Sequence, residues 1–503
     1  MEKRLFLAIL LSSLVLLFWS LIMPKPKLNV PQAVVSAPQS VETVKPDAGA
    51  VPSAVKNTTT SLIPYSCGDL AVIFDEKRAA IKEVSFKKYQ SSKFSPHLGL
   101  ASDEKFNFKL LSLSPNTVIF RSLDNNLEIT KKFIFSNSNY GLELEVNVQS
   151  VNPYPVTYKS SLLLGAIDFN LKTQETRFED FTVVSADKLT HPNPRKENKF
   201  NQLKFIGLRD KYFCIILGKL PLESTAFIKN LNPGNPCLGI ENKDVIIAPK
   251  TTYQEKYSAY LGPQQVKAIS LVNPDWSAIV HFGTFDFISQ VLLQLLDLIY
   301  KVVHNWGWAI IILSIAVYLL LFPLTLKQLR SMKEMQALQP RVEELRKLYK
   351  DNAQKLNKEI MDLYREHKVN PLGGCLPLLL QMPIFFALYQ ALMRSVALKG
   401  AHFFWIRDLA EPDKLFILPK SLPIIGNEIN ILPLLMMVGM FVQQKMSTVK
   451  SGGTSQEQQK IMLIIFPLMF GFIFYKMPSG LVLYWFVNSM LMLVNQLTLS
   501  KAK

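Results

Sequence analysis

The apolar runs of this 503-residue chain hold no Asp, Glu or His in their interiors. That absence argues against a proton relay or counter-ion site within a membrane. The histidines, His97, His191, His281, His304, His367 and His402, fall in loops, interfaces or the polar middle of the chain. Ser314 therefore has no base to activate it as a nucleophile. No GxxxxGKS/T loop occurs, so nucleotide hydrolysis is not expected. Cysteine is scarce, and Cys67, Cys214, Cys237 and Cys375 lack the spacing of metal ligands. Three of the four lie in the middle of the chain, which permits one disulfide at most and leaves the pairing open. We expect no metal, no cofactor and no catalytic residue. The chain reads as a non-enzyme.

What is present is apolar sequence in blocks. Hydrophobic residues make up 49% of the chain and gather at the extreme N-terminus and after residue 300. Candidate membrane spans are Leu5–Met23, Trp306–Leu326, Leu372–Leu392, about Asn430–Met446, Ile461–Tyr475 and Gly480–Leu499. Between the second and third, eleven Lys and Arg lie from Lys327 to Lys368, whereas Lys399–Glu428 carries only Lys399, Arg407, Lys414 and Lys420. The positive-inside rule puts the first of these loops in the cytoplasm, both termini with it, and the middle domain outside. The same rule accounts for the net charge of +17. Nucleic acid is not an expected partner, because no binding motif accompanies the charge.

Six regions follow. Residues 1–23 read as an uncleaved anchor, since Pro24-Lys25-Pro26 offers no small-residue cleavage site and no cysteine follows to accept a lipid. Residues 24–64, rich in Pro, Val, Ala, Ser and Thr, read as a flexible linker. Residues 65–273 alternate as strands do: Leu142, Leu144, Val146 and Val148 interleave with Glu143, Glu145 and Asn147. Similar runs occur at Leu70–Phe74, Thr117–Arg121, Leu127–Phe135, Tyr158–Leu164 and Phe213–Leu217, punctuated by turn residues. Many short strands of this kind argue a large antiparallel β-sandwich. Residues 274–304 contain an amphipathic helix that suits the membrane interface, and 305–503 hold the other five spans. Within them, 327–369 reads as two antiparallel amphipathic helices about Asp351-Asn352, a cytoplasmic hairpin.

Uncharged polar residues recur inside the spans. Ser314, Tyr318 and Thr325 stand at i, i+4 and i+11, which return to one helix face within about 20°. Tyr484, Asn488 and Asn495 repeat that spacing, and Gln381 adds a third element. One such residue alone is best explained by an interhelical hydrogen bond, worth about 0.6 kcal/mol on average. Three stripes from separate spans favour a shared hydrated groove. Methionines also crowd this half, among them Met382, Met436, Met440 and Met490; flexible thioethers suit varied apolar clients.

The most distinctive stretch is Asn370–Leu392, NPLGGCLPLLLQMPIFFALYQAL. A turn leads into an apolar helix that carries Pro377, Pro383 and Gln381. Interior prolines free backbone carbonyls, which membrane helices tolerate where neighbours or cavity water satisfy them. This stretch resembles the YidC family of membrane-protein insertases. So do FPLT at Phe322–Thr325, MQALQP at Met335–Pro340 and PSGLVLYW at Pro478–Trp485. The resemblance covers about the last half of the chain.

It implies a membrane α-helical bundle of six transmembrane helices, an all-β periplasmic supersandwich and a cytoplasmic helical hairpin, set in the inner membrane. It implies insertion and folding of nascent membrane proteins, alone or with the Sec translocon, with the ribosome a further partner at the hairpin. The substrate groove would be lined by Ser314, Tyr318, Thr325, Gln381, Tyr484 and Asn488. The family usually places one arginine in that groove, and aligning back from FPLT puts Tyr318 at its position. Arg394 does not replace it, being thirteen residues, roughly 20 Å, beyond Gln381. The competing function is a transporter or channel, which would call for inverted repeats or a continuous pore; neither is visible.

Overall fold

The computed structural model describes residues 61–501, apart from 91, 103–105, 125, 172–175, 177, 187, 351, 368–375, 423–425 and 448–453. The expected anchor 1–23, nearly all of the linker and the turn Asn370–Gly374 lie outside the described residues.

Strands occupy the chain from Leu62 to Pro263. Nine of them form the largest sheet, whose centre runs Leu203–Arg209, Phe213–Gly218, Thr252–Pro263, Gly141–Ser150 and Leu127–Phe135, antiparallel throughout. Alternation decides which faces are buried. Along Leu127–Phe135 every second side chain from Leu127 onward is buried, the signature of a strand with one covered face. Phe213–Gly218 is buried at every position. Its Phe213, Ile215 and Leu217 face the main sandwich core with Phe74, Phe86 and Leu238. Cys214 and Ile216 face the other way, against Trp276, Ile279 and Phe282 of the segment that leaves the domain. The tight reversal at Gly141 is stabilised by Asn139 Oδ1, which accepts the Gly141 N–H at 2.8 Å. The single disulfide that the sequence permitted among Cys67, Cys214 and Cys237 does not form: all three are buried free thiols.

Nine helices are present among the described residues: α1 (Val266–Ser270), α2 (Asp286–Val303), α3 (Trp306–Ala337), α4 (Gln339–Leu348), α5 (Ala353–Glu366), α6 (Leu376–Met393), α7 (Ile431–Ser447), α8 (Thr454–Phe474) and α9 (Ser479–Lys501). In α2, Leu292 and Leu296 are buried while Phe287, Leu298 and Val302 are exposed. Its Ser289 hydroxyl donates to the Ala387 carbonyl of α6 at 2.8 Å. Arg209 fixes the approach to α2: its guanidinium grips Asp180 through both carboxylate oxygens and donates to the carbonyls of Ile279 and His281.

The apolar run that begins α3 ends at Leu326, but the helix continues eleven residues to Ala337 without a break. Lys, Gln, Arg, Met and Glu are good helix formers, so hydropathy stops there while helicity does not. α4 carries Pro340 in its first turn, where no N–H is needed. α5 starts on Asn352, whose Oδ1 accepts the Lys355 N–H at 3.0 Å. Two stretches, Trp306–Lys327 and Ser479–Thr498, are long and apolar enough to cross a membrane; Ile431–Met446 and Leu463–Phe474 are apolar but shorter. The helical core packs Leu296, Leu313, Leu388, Met436 and Tyr484 into one cluster.

The loop between α6 and α7, read from the sequence only as a stretch with few basic residues, holds an antiparallel hairpin of Phe416–Leu422 with Gly426–Ile429. It also caps the bundle. Asp413 Oδ2 accepts the N–H groups of Ile431 and Leu432 at the start of α7, at 2.8 and 2.9 Å. Ser479 at the start of α9 donates its hydroxyl to the Asp408 carbonyl at 2.9 Å.

Candidate functional site

α9 is the element on which the polar side chains converge. It runs beside α3 in the same direction, since both begin against the loop around His402–Glu411. The repeat of Tyr484, Asn488 and Asn495 turns one face of α9 toward its neighbours.

Two interhelical pairs result. Gln381 of α6 donates from Nε2 to the Tyr484 hydroxyl at 2.6 Å. Asn495 donates from Nδ2 to the Tyr318 hydroxyl of α3 at 3.1 Å, and that hydroxyl lies 3.4 Å from the Leu491 carbonyl. Tyr318 is thus a phenol tied to the last helix. It accepts and donates hydrogen bonds but carries no charge.

The other expected groove residues bond within their own helices. Ser314 Oγ donates to the Ile310 carbonyl at 2.7 Å and Thr325 Oγ1 to the Leu321 carbonyl at 3.1 Å. Asn488 Nδ2 donates to the Tyr484 carbonyl at 3.0 Å. Each spends one donor on its own helix. Helical spacing placed them on one face but said nothing about whether the backbone would take their hydrogen bonds.

Burial varies along the stripe. Near the loop end, Ile310, Leu313, Ser314, Leu481 and Tyr484 are fully enclosed. Farther along, Tyr318, Gln381, Asn488 and Asn495 are half-buried. Thr325, nearer the α4–α5 hairpin, is buried again, so the stripe is most accessible in its middle.

Asn495, which its spacing placed on the stripe but which was not among the expected groove residues, makes one of the two interhelical pairs. One contributor escaped the sequence reading of the site. Gln443 of α7 approaches Met492 Sδ of α9 at 2.8 Å; its signal was an amide in an apolar run. Among the described residues no group of three or more His, Cys, Asp or Glu is arranged to hold a metal ion.

Arg394 sits just past α6 against the β domain, with its guanidinium 5.7 Å from the centre of the Phe178 ring.

Known proteins match this chain along its whole length. A family profile described as "60Kd inner membrane protein" matches residues 298–503, and one described as "YidC periplasmic domain" matches residues 101–295. The "Membrane protein insertase YidC" of Pelobacter propionicus is 32% identical over all of this chain and 99% of its own. That of Geobacter metallireducens is 30% identical over the same shares. A solved structure, "Active YidC insertase crystal structure with the first transmembrane domain resolved", aligns with 86% of this chain and 92% of its own at 19% identity and a TM-score of 0.42. Two family profiles that divide the chain between its β and helical parts, with relatives of 30% identity or more from end to end, establish that this chain belongs to the YidC family.

Proposed function

We propose that the chain is a membrane-protein insertase and chaperone of the inner membrane that performs no covalent chemistry. The observation that carries this reading is the pair of uncharged contacts, Gln381 to Tyr484 and Asn495 to Tyr318, which meet on one face of α9. Each partner is neutral, so breaking a pair exposes amides and hydroxyls without stranding a charge in hydrocarbon. A polar tail entering from the hairpin side can take over these hydrogen bonds in turn. Its hydrophobic helix would meanwhile slide out to lipid beside α6 and α8.

On this reading six helices cross the membrane, with Leu5–Met23, α3, α6, α7, α8 and α9 in that role. Both termini and the α4–α5 hairpin face the cytoplasm, and the β domain faces the periplasm. Short spans support an insertion role. The apolar part of α8, Ile461–Phe474, is about 21 Å of helix against a hydrocarbon core of about 30 Å. A bilayer thinned around it lowers the barrier to a polar segment.

Nascent membrane proteins are the clients, and the basic hairpin is the surface suited to ribosomes or emerging chains. Partnership with the Sec translocon belongs to the same reading. The decisive experiment is site-specific crosslinking from Gln381 to a nascent membrane protein arrested during insertion. Crosslinks from Gln381, with none from the lipid-facing Leu320, are expected. Equal labelling from both positions would remove the groove. A transporter or channel would instead move small solutes into liposomes that contain the purified chain.

A further inference from the structure

The seven residues that follow α6 are built into the β domain. Val396 is 2% exposed and packs within the main β-sandwich core, although it lies far beyond the last strand of that domain in sequence. The Gly400 carbonyl accepts from Gln90 Nε2 at 3.4 Å. Gly400 has a φ of +70°, and an added Cβ would stand 1.8 Å from that same Gln90 nitrogen. Lys399 Nζ lies 5.0 Å over the Tyr212 ring, and Arg394 lies over Phe178. Three separate parts of the β domain therefore hold one short segment.

Opposing forces meet in this contact. Burying Val396 favours docking. Arg394 opposes it, because its Nε and Nη1 are shielded and face no acceptor. Arg209 beside it bears the same charge, and the nearby Asp180 carboxylate is already gripped by Arg209 through both oxygens. Burial, followed by Arg209, lowers the Arg394 guanidinium to about 10, so it remains charged at neutral pH. A largely enclosed cation with two unpaired N–H groups gains hydration as soon as the segment leaves its seat.

We infer that Arg394–Gly400 is a releasable latch that positions α6. Seated, it pins the outer end of the helix that carries Gln381 to the β domain. Released, it frees that end, and Arg394 takes up water. Arg394 is a positioning residue, and the functional consequence rests on the insertase reading above. Through this segment the β domain holds the end of α6 directly, beside its indirect hold through α2 and Ser289.

The test uses the full chain in liposomes with Val396→Cys, in a Cys375→Ser background, and an impermeant maleimide. The other three cysteines are buried in the β domain. Labelling reports the unseated fraction, and insertion of a client is measured on the same proteoliposomes. Arg394→Met, which removes the unmet charge, is expected to slow labelling by at least about fivefold and to slow insertion with it. Arg394→Lys, which keeps the charge, is expected to stay near the parent. Gly400→Ala, which crowds Gln90, is expected to speed labelling. Unchanged labelling in both Arg394→Met and Gly400→Ala would overturn the latch. Labelling that shifts as expected while insertion stays constant would overturn its role in positioning α6 and leave the insertase reading intact. If the parent inserts no client while labelling shifts as expected, the functional reading falls and the latch stands.

Discussion

The Gln381 amide reaches the Tyr484 hydroxyl at 2.6 Å and joins α6, which carries Pro383 in its interior, to α9. Such bonds in membranes average about 0.6 kcal/mol, because the separated helices find other partners. A double-mutant cycle with Gln381→Leu and Tyr484→Phe should therefore give a coupling of about 0.6 kcal/mol in unfolding measurements. Each single change should reduce insertion only modestly. A coupling above about 2 kcal/mol would mean that the pair is a structural bolt rather than an exchangeable contact.

Tyr318 supplies a second expectation. With a neutral phenol at this place, the groove should select tails by hydrogen bonding and hydration rather than charge. Neutralising acidic residues in a client tail should change insertion little, or raise it by lowering the desolvation cost. Tyr318→Phe leaves Asn495 without that acceptor and should cost about 0.6 to 1.7 kcal/mol. Tyr318→Arg should make acidic tails insert preferentially. The measurement compares paired clients, acidic and neutral, in both proteins. An equal preference for acidic tails in the parent and in Tyr318→Arg would show that another positive charge is acting.

The hairpin gives a third. α4 and α5 carry much of the basic sequence on faces that do not pack, and they join α3 to α6. Replacing Lys333–Lys368 with a short flexible linker should abolish insertion while the protein still assembles in the membrane, as judged by its abundance there. Full activity would reduce the hairpin to a connector.

Lys131 sets a pH dependence in the β domain. It is fully enclosed, and its Nζ donates to the carbonyls of Ala79 and Leu100. Desolvation lowers its pKa to about 7, although the Phe108 and Phe133 rings near it favour the cation. An unfolded lysine titrates near 10.4. Between about pH 7 and pH 10 the unfolded chain therefore binds more protons than the folded one, and stability rises with pH. Below about 7 the penalty is full and constant. Thermal unfolding followed by β-sheet circular dichroism should rise between pH 7 and pH 9 in the parent, by no more than about 1.4 kcal/mol per pH unit. Lys131→Met should lose that part of the slope. An identical slope in both proteins would mean that Lys131 is not the titrating group.

Local pattern carried much of this architecture. Period-2 alternation located Leu127–Phe135 and the strand around Leu142–Val148 because side-chain direction in a strand depends only on position. The proline-bearing apolar run at Asn370–Leu392 marked the helix with Gln381, and hydropathy marked the segments that became α3, α7, α8 and α9. The basic loop and Asn352 placed the α4–α5 hairpin. Helical spacing also put Tyr484, Asn488 and Asn495 on one face of the last helix.

Which of those side chains meet a partner was decided by the tertiary structure. Ser314, Thr325 and Asn488 sit at the same spacing as Tyr318 and Tyr484, yet their own backbones take their hydrogen bonds. Tyr318 and Gln381 instead find partners on α9, through rotations and offsets between helices that no single helix encodes. The seat of Val396 in the β-sandwich was equally illegible. One valine in a loop has no periodicity, and its burial depends on residues hundreds of positions away. Sequence patterns report what a segment prefers by itself, whereas contacts between distant segments arise only when the whole chain packs.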